Sequence, residues 1–207
     1  LATLCDEKAR VHRAAGDFGG ASVLLDRAIT LYGELPGQPE MADRAAACRL
    51  DKASLLAYLG KNAAALEAFD GAIRAHQQRS LATNSPRAGQ SLADCYAGRA
   101  ATLAQLGDYS AAQQCLDTAA AILERDVKQA SGAEPTDDLA DICCDKATVI
   151  TLRSGLGIRG GRHPDVTGEL REAKTLCDRA MALYGRLGAA ASAPKRVTIP
   201  PRAIQPL

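Results

Sequence analysis

The stretch Ala100-Ala-Thr-Leu-Ala-Gln-Leu-Gly107-Asp108-Tyr109-Ser-Ala-Ala112-Gln-Gln-Cys-Leu-Asp-Thr-Ala119 contains the features that decide the fold. Apolar residues recur at helical spacing on both sides of Gly107, which predicts two amphipathic helices. Gly107 stands where a helix must end in a left-handed or otherwise open conformation, and Asp108 can cap the helix that follows. The stretch therefore predicts a helix-turn-helix unit with a tight turn.

The same arrangement occurs four times along the chain. A small residue is followed seven residues later by Gly or Ser, and these pairs start 44, 47 and 47 residues apart. In the first three units two further alanines stand five and twelve residues after the Gly, and such rows of small residues let helices approach closely. This self-similarity is typical of helical repeats. The pairs are Ala9 and Gly16, Ala53 and Gly60, Ala100 and Gly107, and Ala147 and Ser154.

Breaks in the helical pattern define the borders between units. Segments rich in Pro, Gly and Ser separate the units at 36–39, 83–86 and 131–135. In the fourth unit the later alanines are Ala173 and Ala180, which indicates a 14-residue insertion, mostly over 155–164. We predict units at about 1–35, 41–79, 88–127 and 137–187, which together form one domain over 1–187. Residues 188–207 are predicted to be an extended or disordered tail or linker.

These residues resemble the tetratricopeptide repeat (TPR) family, with a small residue at Ala9, Gly-Asp-aromatic at the turn, and then Ala21, Leu25 and Ala28. The resemblance covers about 1–187, and the long period is closest to that of variants similar to kinesin-light-chain-like TPRs. It implies an all-α fold, a right-handed α-solenoid of four TPR-like helix-turn-helix units with an extended C-terminal tail. It also implies a concave groove, lined mainly by the first helices, that holds an extended or helical peptide.

Composition excludes several classes of partner. The chain carries 25 basic and 24 acidic residues and no long Lys/Arg block, so neither a nucleic acid nor an anionic membrane is expected as a partner. No apolar run is long enough to span a bilayer, and the N-terminal residues do not read as a signal peptide. We therefore expect a soluble cytoplasmic protein. Because the sequence starts at Leu1 within a predicted helix, we also expect it to be a piece of a longer protein.

A basic residue replaces the family's usual Leu just before the small residue in all four units. The cations at this position are Lys8, Lys52, Arg99 and Lys146. A ladder of cations spaced by one repeat can bind an acidic peptide, a chain carboxylate or a phosphate. Alternatively, the stems of these side chains cover neighbouring helices while their charges pair with acids such as Asp94 and Asp141, and this interpretation is favoured.

The family pattern also indicates which residues line the groove. The lining is polar in the first unit and small or apolar later, which suits a peptide with an acidic end and a hydrophobic body. Its positions are Asp6, Arg10 and Arg13; Leu50, Ser54 and Ala57; Ala97, Ala101 and Ala104; Cys144, Thr148 and Thr151. Combined with the ladder, the predicted ligand-binding residues are Lys8, Arg10, Arg13, Lys52, Ser54, Arg99, Lys146 and Thr148.

Other residues that often carry chemistry are interpreted as structural. The seven cysteines lack the spacing of metal ligands, and several exchange with Leu or Ile between units, so we predict core residues, no metal and no cofactor. The three histidines are dispersed. The Gly-rich basic segment from Gly155 to His163 lacks the features of a phosphate-binding loop and is interpreted as a mobile insertion, so an enzyme acting there is the weakest hypothesis.

Taken together, the sequence favours a non-catalytic protein- or peptide-binding module, the interaction or adaptor part of a larger regulatory protein. The alternative is a structural scaffold that forms homo-oligomers through its end helices or its tail. Apolar residues on the last predicted helix, such as Met181 and Leu187, would support that alternative.

Overall fold

The computed structural model describes residues 1–35, 39–83, 86–129, 137–159 and 166–186, and all regular secondary structure in these ranges is α-helical. The predicted all-α class is thus confirmed. The predicted tail at 188–207 lies outside the described ranges. The helices are α1 (Ala2–Ala14), α2 (Phe18–Gly33), α3 (Pro39–Tyr58), α4 (Asn62–Thr83), α5 (Pro86–Gln105), α6 (Tyr109–Gln129), α7 (Asp137–Arg159) and α8 (Val166–Arg186).

Three of the turns between helices share one backbone geometry. Gly16, Gly60 and Gly107 have φ angles of 81°, 72° and 81°. At each turn the Gly N–H donates to the carbonyl three residues earlier, and the next N–H donates to the carbonyl five residues before it, at 2.9–3.1 Å. This pair of bonds is the Schellman motif, which satisfies the last carbonyls of a helix. The turn predicted at each of these glycines is confirmed.

The predicted caps are also present. The Asp17 carboxylate accepts a hydrogen bond from the Gly20 N–H at 2.8 Å, and the Asp108 carboxylate accepts one from the Ala111 N–H at 3.0 Å. Each aspartate satisfies a backbone donor that the first turn of a helix leaves without a partner. The Gly-Asp pair therefore ends one helix and begins the next within two residues.

We expect the substitution Gly107→Ala to lower the free energy of unfolding by about 1–2 kcal/mol, because a Cβ is strained in the left-handed conformation. Gly155→Ala is the matched control, since Gly155 lies inside α7 and an added Cβ would meet no atom within 4 Å. There the change should stabilise the protein by about 0.5–1 kcal/mol, because alanine favours helix. Urea unfolding of both variants measures the two effects. Equal shifts would contradict the strain argument.

Contacts divide the described residues into two compact units, one up to Cys95 and one from Tyr96 onward. In the first unit α2 packs on both α1 and α3, and α3 packs on α4. Its cores consist mainly of alanines around a few large side chains, including Leu25, Tyr32 and Phe69. Ala21, Ala28, Ala65 and Ala72 are fully buried, which confirms that the recurring alanines allow close helix contact.

In the second unit α7 packs on both α6 and α8. One cluster of buried residues joins α7 to α8 and contains Ala147, Ile150 and Ala173, with Leu176 packed against it. Ala112 and Ala119 on α6 are fully buried, like their equivalents in the first unit. The same row of small residues therefore serves both units.

The fourth turn differs from the other three. Ser154 occupies the position of the turn glycines, but α7 continues past it to Arg159. The buried Ser154 hydroxyl donates to the Ile150 carbonyl at 2.9 Å and also contacts the Glu169 carboxylate on α8. Arg153 donates to Glu169 as well, at 2.8 Å. Residues 155–159 of the predicted insertion are thus helical, and 160–165 lie outside the described ranges.

Among the described residues, no helix is both long enough and apolar enough to cross a lipid bilayer.

Candidate recognition surface

Two of the predicted ladder cations form ion pairs within the molecule. The Lys52 ammonium on α3 contacts the Asp26 carboxylate on α2, and the Lys146 ammonium on α7 contacts the Asp117 carboxylate on α6. Their side chains are only 29% and 17% exposed. In each case the cation reaches the helix that immediately precedes its own. These two groups therefore stabilise contacts between consecutive helices.

For these two lysines the interpretation that the ladder cations pair with acids is confirmed, although the acids differ from the two that it gave as examples. It named Asp94 and Asp141, whereas Lys52 and Lys146 contact other aspartates; the Asp141 carboxylate accepts a hydrogen bond from the Tyr184 hydroxyl. A signal for the correct partners was present, because in the second helix of each predicted unit an aspartate stands five residues after the first of the recurring alanines. These aspartates are Asp26, Asp70, Asp117 and Asp178.

The other two ladder residues differ from each other in exposure. Arg99 is half-buried, and its guanidinium donates to the Cys115 sulfur at 3.1 Å. Lys8 lies exposed on α1 and is the one exposed member of the four. The four cations therefore do not present a uniform row of exposed charge.

The predicted polar residues at the start of the groove form a charged cluster between α1 and α3. The Arg10 guanidinium donates to the Asp6 carboxylate at 3.1 Å, and the Arg13 guanidinium donates to the Asp51 carboxylate at 3.3 Å. Asp6 is buried, whereas the Arg10 and Arg13 side chains are 56% and 44% exposed. The structure thus brings Arg10 and Arg13 together on one face.

Burial perturbs the acids of this cluster. Desolvation raises the pKa of Asp51, and the Arg13 charge opposes that shift. Burial and the nearby Asp6 and Asp51 charges raise the pKa of the Cys48 thiol to about 12. The thiol is therefore protonated at neutral pH and acts as a weak donor rather than a nucleophile.

The remaining predicted groove positions differ in accessibility. Ser54 is exposed on α3, and Thr148 on α7 is half-buried, with its hydroxyl donating to the Cys144 carbonyl at 2.9 Å. The predicted lining of α5 is buried, which leaves little of it for a ligand to contact. Its residues Ala97, Ala101 and Ala104 are 1%, 6% and 1% exposed.

Five of the seven cysteines are buried, which confirms the core prediction for Cys5, Cys48, Cys95, Cys115 and Cys143. The core prediction is wrong for Cys177, which is exposed on α8, and Cys144, which was also a predicted groove position, is exposed on α7. Although the residue is exposed, partial desolvation of its sulfur and the nearby Cys177 thiol raise the pKa of Cys144 to about 11. Within the part of the chain that the structure describes, no three His, Cys, Asp or Glu residues are placed to hold a metal ion.

The second unit contains a cleft of about 400 Å³ between α6, α7 and α8. An ion pair in its wall joins Arg179 to Glu124 at 2.6 Å, so the cation there already has a carboxylate partner. None of the predicted groove residues lines this cleft. Its lining consists of Glu124, Val127, Lys128, Leu139, Arg179, Ala182 and Leu183.

Comparison with solved structures identifies the fold. BtubC (BKLC) from P. vanneervenii is similar to this chain with a TM-score of 0.68 and 18% sequence identity, covering 95% of this chain and 68% of BtubC. A Podosopora anserina protein with nearly identical TPR-like repeats of the kinesin light chain type gives a TM-score of 0.50 and 15% identity, covering 91% of this chain and 97% of that one. No model of a protein family matches the sequence, and no curated protein matches it.

The chain therefore has the fold of a TPR-like helical repeat protein. The predicted resemblance to kinesin-light-chain-like TPRs is confirmed at the level of the fold.

Proposed function

We propose that the eight helices form four helix-turn-helix units of a right-handed solenoid, and that the chain is a non-catalytic, cytoplasmic module that binds proteins or peptides. In this proposal it is the interaction part of a larger regulatory protein. The likeness of the fold to TPR-like repeats supports this role by analogy. A surface of the first unit supports the same role because it carries exposed hydrogen-bond donors.

The observation that carries the proposal is the face formed by Arg10, Arg13, Asp51 and Ser54, here called the α1–α3 surface. Arg10 and Arg13 lie three residues apart, so their guanidinium groups project from the same side of α1. Each donates one described hydrogen bond to a carboxylate, although a guanidinium has five N–H donors. Both side chains are about half exposed, so a ligand carboxylate can reach them.

The guanidinium of Arg13 can take a second carboxylate beside Asp51. Its described bond to Asp51 uses one N–H and is long at 3.3 Å, so other N–H donors of the same group can bind a ligand. A ligand carboxylate could form a shorter, bidentate bond to the same guanidinium. Ser54 lies one turn beyond Asp51 on the same face of α3 and offers a hydroxyl donor. The proposed ligand is therefore an acidic peptide.

The test compares fluorescent peptides that contain several glutamates next to leucines with the same peptides in which glutamine replaces glutamate. We expect the acidic peptides to bind and Arg10→Gln/Arg13→Gln to weaken binding about tenfold or more, because two charge-assisted hydrogen bonds are lost. Arg27→Gln/Lys61→Gln is the matched control, since it removes two exposed charges from the same unit. Equal loss in both double variants, or no preference for glutamate, would refute the proposal.

A further inference from the structure

One face of α1 carries large apolar side chains in contact with solvent. Leu1, Leu4 and Val11 are 74%, 55% and 66% exposed. With Lys8 they are spaced by three, four and three residues, which places all four on one stripe of the helix. This end face of α1 lies on the opposite side of the helix from Arg10 and Arg13, because 100° of rotation per residue separates the two sets by about half a turn.

The residues at the same repeat positions are buried on the other first helices. Leu1 corresponds to Ala45, Leu92 and Leu139, which are 4%, 7% and 3% exposed. Leu4 corresponds to Cys48, Cys95 and Ile142, at 1%, 0% and 3%. Val11 corresponds to Leu55, Thr102 and Val149, at 2%, 0% and 0%. The end face of α1 is thus the surface that, on α3 and α7, takes part in the packing on α2 and α6.

A matching face is exposed on α8. Met181 is 64% exposed, whereas Ile73 and Ala120, at the same position in α4 and α6, are each 8% exposed. Asp178 occupies the position of Asp26 and Asp117, the two aspartates that pair with Lys52 and Lys146. The end face of α8, with Met181 and Asp178, is thus the counterpart of the end face of α1.

We propose that the end face of α1 in one copy of this chain packs on the end face of α8 in a second copy, with Lys8 paired to Asp178 of the partner subunit. The contact reproduces the arrangement in which Lys52 on α3 reaches Asp26 on α2 and Lys146 on α7 reaches Asp117 on α6. The interaction is head-to-tail, so copies add in series instead of closing as a symmetric pair. It does not depend on peptide binding at the α1–α3 surface.

Charge and exposure favour a second copy as the occupant. The α1 face presents one cation among aliphatic side chains, and the α8 face presents an anion and Met181 in the corresponding register. Asp178 contacts Lys174 at 2.9 Å, with side chains 52% and 77% exposed. An exposed ion pair four residues apart on a helix contributes little to stability. Asp178 can therefore exchange Lys174 for Lys8 of the other copy. Both halves of the proposed interface therefore lie on the same chain.

The test is a charge exchange followed by sedimentation velocity over a range of concentrations of the full chain. The parent protein should form a concentration-dependent series of oligomers. Lys8→Glu and Asp178→Lys should each weaken association about tenfold or more, because each places like charges opposite one another. An equimolar mixture of the two variants should restore association, since the carboxylate introduced on α1 of one variant then meets the ammonium introduced on α8 of the other. Circular dichroism establishes that both variants stay folded.

Two control variants make the same charge changes elsewhere. Lys61→Glu and Glu67→Lys alter exposed residues outside both end faces and should leave association unchanged. A parent that stays monomeric at all concentrations would overturn the proposal, and would indicate that another segment covers these faces. The proposal would also be overturned if Lys8→Glu did not weaken the oligomers, or if the mixture of variants failed to restore association. Either result would indicate that the copies associate through α1 with α1, or through other surfaces.

Discussion

Replacing Phe69 with alanine should lower the free energy of unfolding by about 3–5 kcal/mol. Phe69 on α4 is 1% exposed and packs with Ala53 on α3 and Ala65 on α4. The other buried residues of this cluster are alanines, which have no long side chains that could rotate into the space that the ring leaves, and only the partly buried Leu50 and Leu56 could fill part of it. The cavity should therefore persist, and the cost should include both lost burial and lost contacts. Urea unfolding followed by circular dichroism measures the change.

The control for Phe69 is an aromatic residue at the surface of the same unit. Tyr58 is 74% exposed and contacts the Phe18 ring, with the ring centroids 5.0 Å apart. Tyr58→Ala removes that ring contact without opening a cavity, so the expected loss is about 0.5–1.5 kcal/mol. If the two variants lost the same stability, the α3–α4 core would not depend on the large side chain among its alanines.

Much of the fold could be predicted because its signals are local. Gly16, Gly60 and Gly107 adopt a conformation that depends on the residue itself and its immediate neighbours, and the aspartates that follow two of them cap helices within three residues. The alanines that recur at fixed spacing then indicate which helix faces approach closely. Such features are visible in a short window of sequence.

The extension of α7 could not be predicted in the same way. Ser154 occupies a turn position, and its neighbours in sequence give no sign that the helix continues. What holds the helix there is Glu169 on α8, which contacts both Arg153 and the Ser154 hydroxyl. Glu169 follows the predicted insertion in the sequence, so its contact with Ser154 depends on how α8 packs on α7. Local sequence patterns do not specify that packing.

The candidate site shows the same division between local and long-range information. The placement of Arg10 and Arg13 on one face of α1 could be predicted, because they lie three residues apart in the sequence. The partner of Arg10 follows in the same way, because Asp6 lies four residues earlier on α1. The partner of Arg13 does not, because Asp51 lies 38 residues beyond Arg13 and faces it only through the packing of α3. The partners of Lys52 and Lys146 could have been found, since the aspartates recur with the repeat, but only by comparing second helices with first helices.

His76 occupies a core position, and its environment predicts how stability changes with pH. It stands at the repeat position of Tyr32 and Leu123 and is 5% exposed. One ring nitrogen hydrogen-bonds the Ala46 backbone, and within the described chain Nε2 has no hydrogen-bond partner. A second proton on this ring would therefore place an unsatisfied charge in the core.

Burial lowers the pKa of His76 from its ordinary value of 6.5. The charged groups that act on the ring are Asp43 and Asp94, which favour protonation, and Arg79, which opposes it. Because Arg79 pairs with Asp43 on α3, the two opposite charges partly cancel, and each affects the pKa of His76 less. Desolvation is the largest of these effects, so the folded unit binds the proton less readily than the unfolded chain does.

The sign of the pH effect follows from this difference. Below pH 6.5 the unfolded chain takes up a proton at His76 that the folded chain resists, so the stability associated with His76 is present above that pH and decreases as the pH falls. The slope can reach about 1.4 kcal/mol per pH unit for one proton, and it levels off below the pKa of the folded state. Acidification from neutral pH should therefore destabilise the first unit through this residue.

His76→Leu isolates the contribution of His76 from that of other titrating groups. Asp51 in the same unit has a raised pKa and contributes with the opposite sign, but it is present in both proteins and cancels in their difference. We expect the difference in unfolding free energy between parent and variant to change between about pH 7.5 and 5, with the variant gaining stability relative to the parent as the pH falls. Urea unfolding at several pH values measures it. Parallel pH profiles would mean that the imidazole is protonated equally readily in both states, and that water or a rearranged carboxylate solvates its charge in the core.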